Sequence, residues 1–260
     1  MRIATWNVNS LRQRLGHLET WLRQAEPDVV CLQEIKCVDE AFPTAEIEAM
    51  GYNVAVHGQK TFNGVAILSR RPFDEVTRGL PGDPEDVQAR YIEAVIPTGT
   101  GIVRVASIYL PNGNPVGTEK YPYKLGWMER LAAHVRVLLA LEEPLVLAGD
   151  YNVIPSARDV HDPELWAGDA LFLPQTRARF QVLVNLGLVD ALRACTDSDG
   201  LYSFWDYQAG AWQKNNGIRI DHLLLSPQAA DRLASCTIDA LTRAWEKPSD
   251  HVPVRLDLRD

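Results

Sequence analysis

Asp150 and Asn152 stand two residues apart after the apolar run Leu145-Val146-Leu147-Ala148, with Gly149 between the run and the carboxylate. A carboxylate and a carboxamide held together at the tip of a rigid strand can orient a water or a metal-bound oxygen. Gly-Asp-x-Asn by itself is ordinary turn punctuation. The balance shifts because polar groups accumulate at the exits of other apolar runs: Asn7, Glu34, Tyr109, Asp221 and the pair Asp250-His251. If sheets bring these exits to one edge, they form a pocket of carboxylates, carboxamides, one imidazole and one phenol. Oxygen donors without thiolates favour magnesium or manganese over zinc, and magnesium usually takes one or two carboxylates and keeps several waters. Glu34, with Asn7 beside it, is the first candidate ligand. Asp221 is the candidate partner of His251, since a neighbouring carboxylate fixes an imidazole tautomer and favours its protonated form, a donor for a phosphate oxygen. Taken singly, each has a plainer explanation: His251 as a turn residue near Pro253, Glu34 as a strand end, Tyr109 as a core aromatic with a wet hydroxyl.

These groups need strands to carry them. Arg2 to Asn7 and Val29 to Gln33 read as buried strands, joined by a helix in which Leu11, Leu15, Leu18 and Leu22 recur at helical spacing behind a cap at Asn9 or Ser10. Strand, helix, strand with polar exits predicts parallel neighbours. A short helix over Thr44 to Met50 follows. Tyr52 to His57, Gly64 to Ser69, Tyr91 to Ile96 and Val103 to Tyr109 then predict an antiparallel meander. A long amphipathic helix through Leu125, Met128, Leu131, Val135 and Leu138, ending at Glu143, delivers the chain into the strand before Asp150. Asp150 and Asn152 share a side if that backbone stays extended. The second half predicts a helix near Thr176 to Leu186 and strands at Arg219 to Leu225, Cys236 to Thr242 and Val252 to Leu258. The fold expected is α/β: a four-layered sandwich of two packed mixed sheets flanked by helices.

The 260 residues contain no linker or low-complexity tract, so one domain spanning 1–260 is expected. The start lacks a long apolar signal core and no apolar run is long enough to span a bilayer, which points to a cytoplasmic protein without membrane contact. Cys31, Cys37, Cys195 and Cys236 lack metal-ligand spacing and are expected as reduced thiols. A net charge of -8 argues against wholesale capture of nucleic acid, but carboxylates gathered round a cation make a chain acidic while rim Arg and Lys still meet phosphate.

Ala4-Thr5-Trp6-Asn7-Val8-Asn9, Leu32-Gln33-Glu34-Ile35-Lys36, Asn63-Gly64-Val65-Ala66-Ile67-Leu68-Ser69, Gly149-Asp150-Tyr151-Asn152 and Ser249-Asp250-His251 together resemble the exonuclease III class of apurinic/apyrimidinic endonucleases, in order and over essentially the whole chain. The wider superfamily of deoxyribonucleases, inositol-polyphosphate phosphatases and sphingomyelinases shares the Glu, Asp-x-Asn and Asp-His elements. The Asn63 segment, Tyr109 and Arg219-Ile220-Asp221 stand closer to the DNA-repair branch. The resemblance implies a monomeric hydrolase, dependent on Mg2+ or Mn2+, that cuts double-stranded DNA 5′ to abasic sites and works on 3′ ends. Glu34 and Asn7 would hold the metal, and Asp250 would reach it through water or at a second position; Asp150, Asn152 and His251 would belong to the same metal-binding set. Asp150 would orient or deprotonate the attacking water, Asn152 would place water and phosphate, and His251 with Asp221 would donate to a nonbridging oxygen. Tyr109 would touch the phosphate or leaving group, with Asn112 and Lys36 as phosphate neighbours. Phe204, Trp205, Ile218 and Ile220 would wall the sugar pocket, and Arg70, Arg71 and Arg90 could track the backbone. Tyr151, Ile35 and Val252 depart from the family's usual Phe, Thr and Cys, and Ile218 stands where some relatives carry a large aromatic.

Overall fold

The computed structural model describes residues 1–99 and 101–259. Its first half runs β1 (Arg2–Asn7), α1 (Leu11–Ala25), β2 (Val29–Gln33), α2 (Thr44–Glu48), β3 (Asn53–His57), β4 (Val65–Ser69), β5 (Glu75–Arg78), β6 (Tyr91–Pro97), β7 (Ile102–Tyr109) and α3 (Lys120–Leu139). The second half adds β8 (Leu145–Asp150), α4 (Pro163–Trp166), α5 (Pro174–Asn185), β9 (Val189–Asp190), α6 (Ala191–Cys195), β10 (Asp221–Leu225), α7 (Pro227–Ala230), β11 (Leu233–Ile238) and β12 (Val254–Leu258). Among the described residues these strands form two six-stranded sheets, ordered β11-β12-β1-β2-β4-β3 and β5-β6-β7-β8-β10-β9. Each has one parallel pair at its centre, β1 with β2 and β7 with β8, and antiparallel neighbours outside it. This is the expected layered sandwich.

The two-residue period of a strand sorts side chains between layers. Ile3, Val29, Cys31 and Ile67 of one sheet meet Val103, Val105, Val146, Ala148 and Leu223 of the other in a shared core. The alternate residues Ala4, Trp6, Val30 and Leu32 face α1, where Leu11, Leu18, Trp21 and Leu22 cover them. Ala106, Ile108, Leu145 and Leu147 likewise face Trp127, Met128, Leu131 and Val135 of α3 and Phe180 of α5.

Along the inward rows apolar residues give way to polar ones toward one end. Ile3 leads through Thr5 to Asn7, Val105 through Ser107 to Tyr109, and Ala148 to Asp150. A buried layer crosses the sandwich just beneath that end: Thr5 Oγ1 donates to Gln33 Oε1 at 3.1 Å, Gln33 Nε2 to Ser107 Oγ at 2.9 Å, and Ser107 Oγ to the Leu32 carbonyl at 2.9 Å. Hydrogen-bonded polar groups in a core fix the register of the sheets. Gly149 is required here because a Cβ would stand 2.0 Å from the carbonyl oxygen of Ile108 on the parallel neighbour.

Several expected boundaries differ. The expected meander is divided: β3 and β4 pair in the first sheet, while β5, β6 and β7 form a meander in the second. The strand expected at Cys236 to Thr242 lies at Leu233–Ile238. Asp239 ends it by turning its carboxylate to the Trp21 indole and Arg255, and Ala240–Ala244 follows as a 3-10 turn. α1 begins at Leu11 after Ser10, but neither Asn9 nor Ser10 caps it with a side chain; the Asn9 carboxamide is used elsewhere.

Candidate active site

The polar ends of the inward rows open into a cleft of about 250 Å³ lined by Glu34, Tyr109, Asn112, Asn114, Asp150, Asn152, Trp166, Asp169, Leu171, Phe204, Asp206, Ile218, Ile220, Asp250 and His251. Asn7 lies beneath it, fully buried, and joins the two sheets: its Nδ2 donates to Glu34 Oε1 at 2.8 Å and to Asp150 Oδ2 at 2.9 Å. Its oxygen accepts from the Asn9 N–H at 3.0 Å, so Asn7 presents nitrogen rather than a ligand oxygen to the carboxylates.

Asp150 and Asn152 stand side by side, though not by the extended pleat expected. β8 ends at Asp150 and Asn152 adopts φ 48°, in the left-handed region. Such a conformation costs a non-glycine residue on the order of 1 kcal/mol. It is held by the Asn152 N–H donating to Asp150 Oδ1 at 2.9 Å, the Asx-turn that Asp favours. The Asn152 carboxamide donates to the Leu110 carbonyl at 2.9 Å and accepts from Asn112 Nδ2 at 3.1 Å. Glu34, also left-handed at φ 50°, leaves β2 beside Lys36, whose Nζ is 2.9 Å from Oε2.

Asp221 faces Asp150 across the β8–β10 ladder. Its Oδ2 lies 2.8 Å from Nδ1 of His251, whose Nε2 points toward Asp150 Oδ2 at 3.7 Å. Burial opposes charge on the imidazole, but Asp221 and Asp150 outweigh it and raise the His251 pKa. Burial drives the Asp150 carboxyl upward, with His251 and the Asn7 bond pulling the other way. Burial also works against charge on Glu34, yet Lys36 and Asn7 hold its pKa below the usual carboxylate value. The Tyr109 phenol is kept firmly protonated by burial and by Glu34 and Asp150. Arg90 stacks on its ring at 4.9 Å and lines an adjoining hollow with Asn112 and Lys120.

Glu34, Asp150 and His251 each offer a ligand atom, and these atoms lie within 4.8 Å of one another. Two carboxylates with no thiolate nearby suit a hard divalent cation. Asp250 stands at the rim, its Oδ1 accepting from Asn9 Nδ2 at 3.0 Å. Phe204, Ile218 and Ile220 form an apolar wall with Leu171 and Trp166. Trp205, expected in that wall, is not part of it: it packs with Tyr202, Trp212 and Val252, and its indole donates to Asn215. The two neighbours lie in an irregular segment outside any strand, where Phe204 makes isolated bridges to Ile218 and His251 while Trp205 packs into a separate cluster. Lys36 lines a neighbouring groove with Arg12 and Lys60. Arg70 is committed elsewhere, over Tyr52 and to the Pro27 carbonyl, and Arg71 is exposed.

Sequence reasoning missed Ser203, whose hydroxyl donates to Asp221 Oδ2 at 2.6 Å and accepts the N–H groups of Ile220 and Asp221 at 3.1 Å. A lone Ser carries no pattern that would have found it. It also missed Lys124, fully buried in α3 and held by burial to a pKa of about 7. A signal existed for it: Lys124, Met128, Leu131, Val135 and Leu138 recur at helical spacing, placing a cation on the apolar stripe.

The chain is similar over its whole length to proteins already known. A model of the Endonuclease/Exonuclease/phosphatase family matches residues 4–251. Exodeoxyribonuclease III of Haemophilus influenzae is 37% identical over 98% of each chain. The 3′ phosphatase NExo from Neisseria, bound to a product DNA hairpin, has a TM-score of 0.96 and 40% identity over 100% of both chains. An AP endonuclease from Archaeoglobus fulgidus has a TM-score of 0.94 and 37% identity over 99% of both.

Proposed function

Since the chain belongs to the exonuclease III/AP endonuclease family of the endonuclease/exonuclease/phosphatase superfamily, we propose that it is a DNA repair nuclease that hydrolyses phosphodiesters 5′ to abasic sites. Its further activities would be 3′-5′ exodeoxyribonuclease and 3′-phosphatase or phosphodiesterase. At the coarser level the chain is a phosphodiester hydrolase acting on DNA. The observation that carries the reading is the meeting of Glu34, Asp150 and His251 within 4.8 Å, from three distant parts of the chain, with Asp221 behind His251. The 260 residues act as one domain in this reading, because both sheets contribute to that meeting point. Among the described residues no helix is long and apolar enough to cross a membrane.

Glu34 and Asp150 would hold Mg2+ or Mn2+, and Asp250, in the cleft lining, would meet it through water or at a second position. When bound there, the cation would supply charge neutralisation at the phosphate and at the departing 3′ oxygen. Asp150 orients the attacking water and takes its proton, and Asn152 fixes water and phosphate through its carboxamide. His251, protonated and held by Asp221, donates to a nonbridging oxygen as charge builds. The Tyr109 hydroxyl, kept protonated, donates to the phosphate or the leaving oxygen, while Asn112 and Lys36 flank the phosphate. Phe204, Ile218 and Ile220 receive an extruded deoxyribose, and exclude water from it.

The test is one labelled duplex with a central abasic analogue and a recessed 3′ end, incubated with magnesium and with chelator. Cleavage at the analogue with magnesium and none with chelator is expected. An intact duplex beside hydrolysis of inositol phosphates would move the protein to another branch of the superfamily.

A further inference from the structure

Lys124 projects from α3 with no exposed surface, and its Nζ donates to two main-chain carbonyls, Asn112 at 2.9 Å and Asn152 at 2.6 Å. The two carbonyls belong to different loops, one leaving β7 and the other β8, parallel neighbours whose last paired residues are Tyr109 and Asp150. The ammonium therefore ties together the segments that carry two cleft carboxamides. The side chains of the same residues bond to each other at 3.1 Å. Asn152 is also the left-handed residue of the Asx-turn, so the direction of its carbonyl and of its side chain are set together.

The loop is shaped for this lysine. Gly113 has φ 90°, and a Cβ there would stand 2.7 Å from Lys124 Cδ. Removing the amino group would leave the Asn112 and Asn152 carbonyls without this donor, so a loss of stability accompanies any kinetic effect and only the split between kcat and KM in a folded variant speaks to positioning.

We propose that Lys124 is a positioning residue for hydrolysis, setting the carboxamides of Asn112 and Asn152 by clamping their backbone carbonyls. The assignment rests on the proposed phosphodiesterase reading. It is tested by steady-state kinetics of Lys124→Met, Gly113→Ala and the double variant on the abasic duplex in magnesium, with circular dichroism as the control for folding. Misplacing a reacting group by an ångström slows chemistry by roughly 10²-fold, so Lys124→Met is expected to lower kcat by about that factor with KM within about threefold. Gly113→Ala crowds Lys124 and also strains a left-handed backbone position, so only a double variant no slower than Lys124→Met alone assigns its effect to the clamp. A folded Lys124→Met with kcat within about threefold of the unaltered protein, or a loss confined to KM, overturns the assignment. If Lys124→Met does not fold, the same kcat criterion applied to Gly113→Ala decides. An unaltered protein that leaves the duplex intact removes the phosphodiesterase reading and the clamp's role with it. One that cleaves beside an unaffected variant removes the clamp alone.

Discussion

Oδ2 of Asp221 lies 2.8 Å from Nδ1 of His251 and accepts the Ser203 hydroxyl at 2.6 Å. The carboxylate thus holds the protonated imidazole through its Nδ1–H and turns the Nε2–H to the cleft. An amide at 221 removes the charge that favours this protonated form and can offer its own nitrogen to Nδ1, leaving a neutral imidazole whose Nε2 lacks the proton to donate. Asp221→Asn is expected to lower kcat by roughly 10²- to 10⁴-fold, with the magnesium requirement unchanged. Single-turnover rates within tenfold of the unaltered protein would remove the role given to this pair.

Asp150 illustrates a conflict between stability and activity. Burial raises its carboxyl pKa, so the ionised form is disfavoured in the folded chain. Asp150→Asn removes a buried charge but sets an amide NH2 against Asn7 Nδ2 or the Asn152 N–H, so the stability of the metal-free protein is expected to change by less than about 1 kcal/mol while most turnover is lost. Urea unfolding in chelator together with the abasic-duplex assay checks both halves. A variant whose stability moves by more than about 1 kcal/mol and that is still active contradicts the account on both counts.

The strand exits were legible because each polar residue interrupts an apolar run, and inward rows such as Ile3, Thr5 and Asn7 follow directly from the two-residue period. What was not legible depended on groups with no period of their own. The Asx-turn that brings Asn152 beside Asp150 is a backbone event at φ 48°, and extended spacing predicted the proximity for the wrong reason. Trp205 was misplaced because no alternation could be assigned to so irregular a segment. β5, short and half-exposed at a sheet edge, lacks the apolar content that marks a strand.

A second buried histidine governs acid stability. His222 is 1% exposed; its Nε2 is 2.9 Å from the Val153 carbonyl and its Nδ1 3.0 Å from Arg219 Nη1. This requires the neutral Nε2–H tautomer. Burial, followed by Arg219, lowers its pKa from 6.5 to about 4. The unfolded chain then binds more protons than the folded one between these values, so the stabilisation is complete above pH 6.5 and is lost as pH falls toward 4. Integrated over that window, the loss is on the order of 3 kcal/mol. Urea unfolding at stepped pH should show this slope in the unaltered protein and lose it in His222→Phe, a ring that suits the edge contact with Tyr151 and the tilted contact with Phe180. An unchanged slope in the variant would assign acid sensitivity elsewhere, while Asp159, lowered to about 2 against burial by Arg219, should act only below 3.8.

Lys36 sits where two roles oppose each other. Its Nζ is 2.9 Å from Glu34 Oε2, so it neutralises a carboxylate that a divalent cation would also use. The pair is partly exposed, which limits its strength to about 1 kcal/mol, or roughly fivefold in a binding constant. Lys36→Met should therefore lower the half-saturating magnesium concentration by up to about that factor. The same change removes a cation from the groove shared with Arg12 and Lys60, so KM for duplex DNA should rise and its salt dependence should weaken. Glu34→Gln should act the other way on magnesium, because a carboxamide oxygen carries no charge. Manganese binding measured calorimetrically without DNA separates the metal effect from the phosphate effect. A half-saturating magnesium concentration that is unchanged or rises along with KM in Lys36→Met would show that Lys36 serves DNA binding without competing for Glu34.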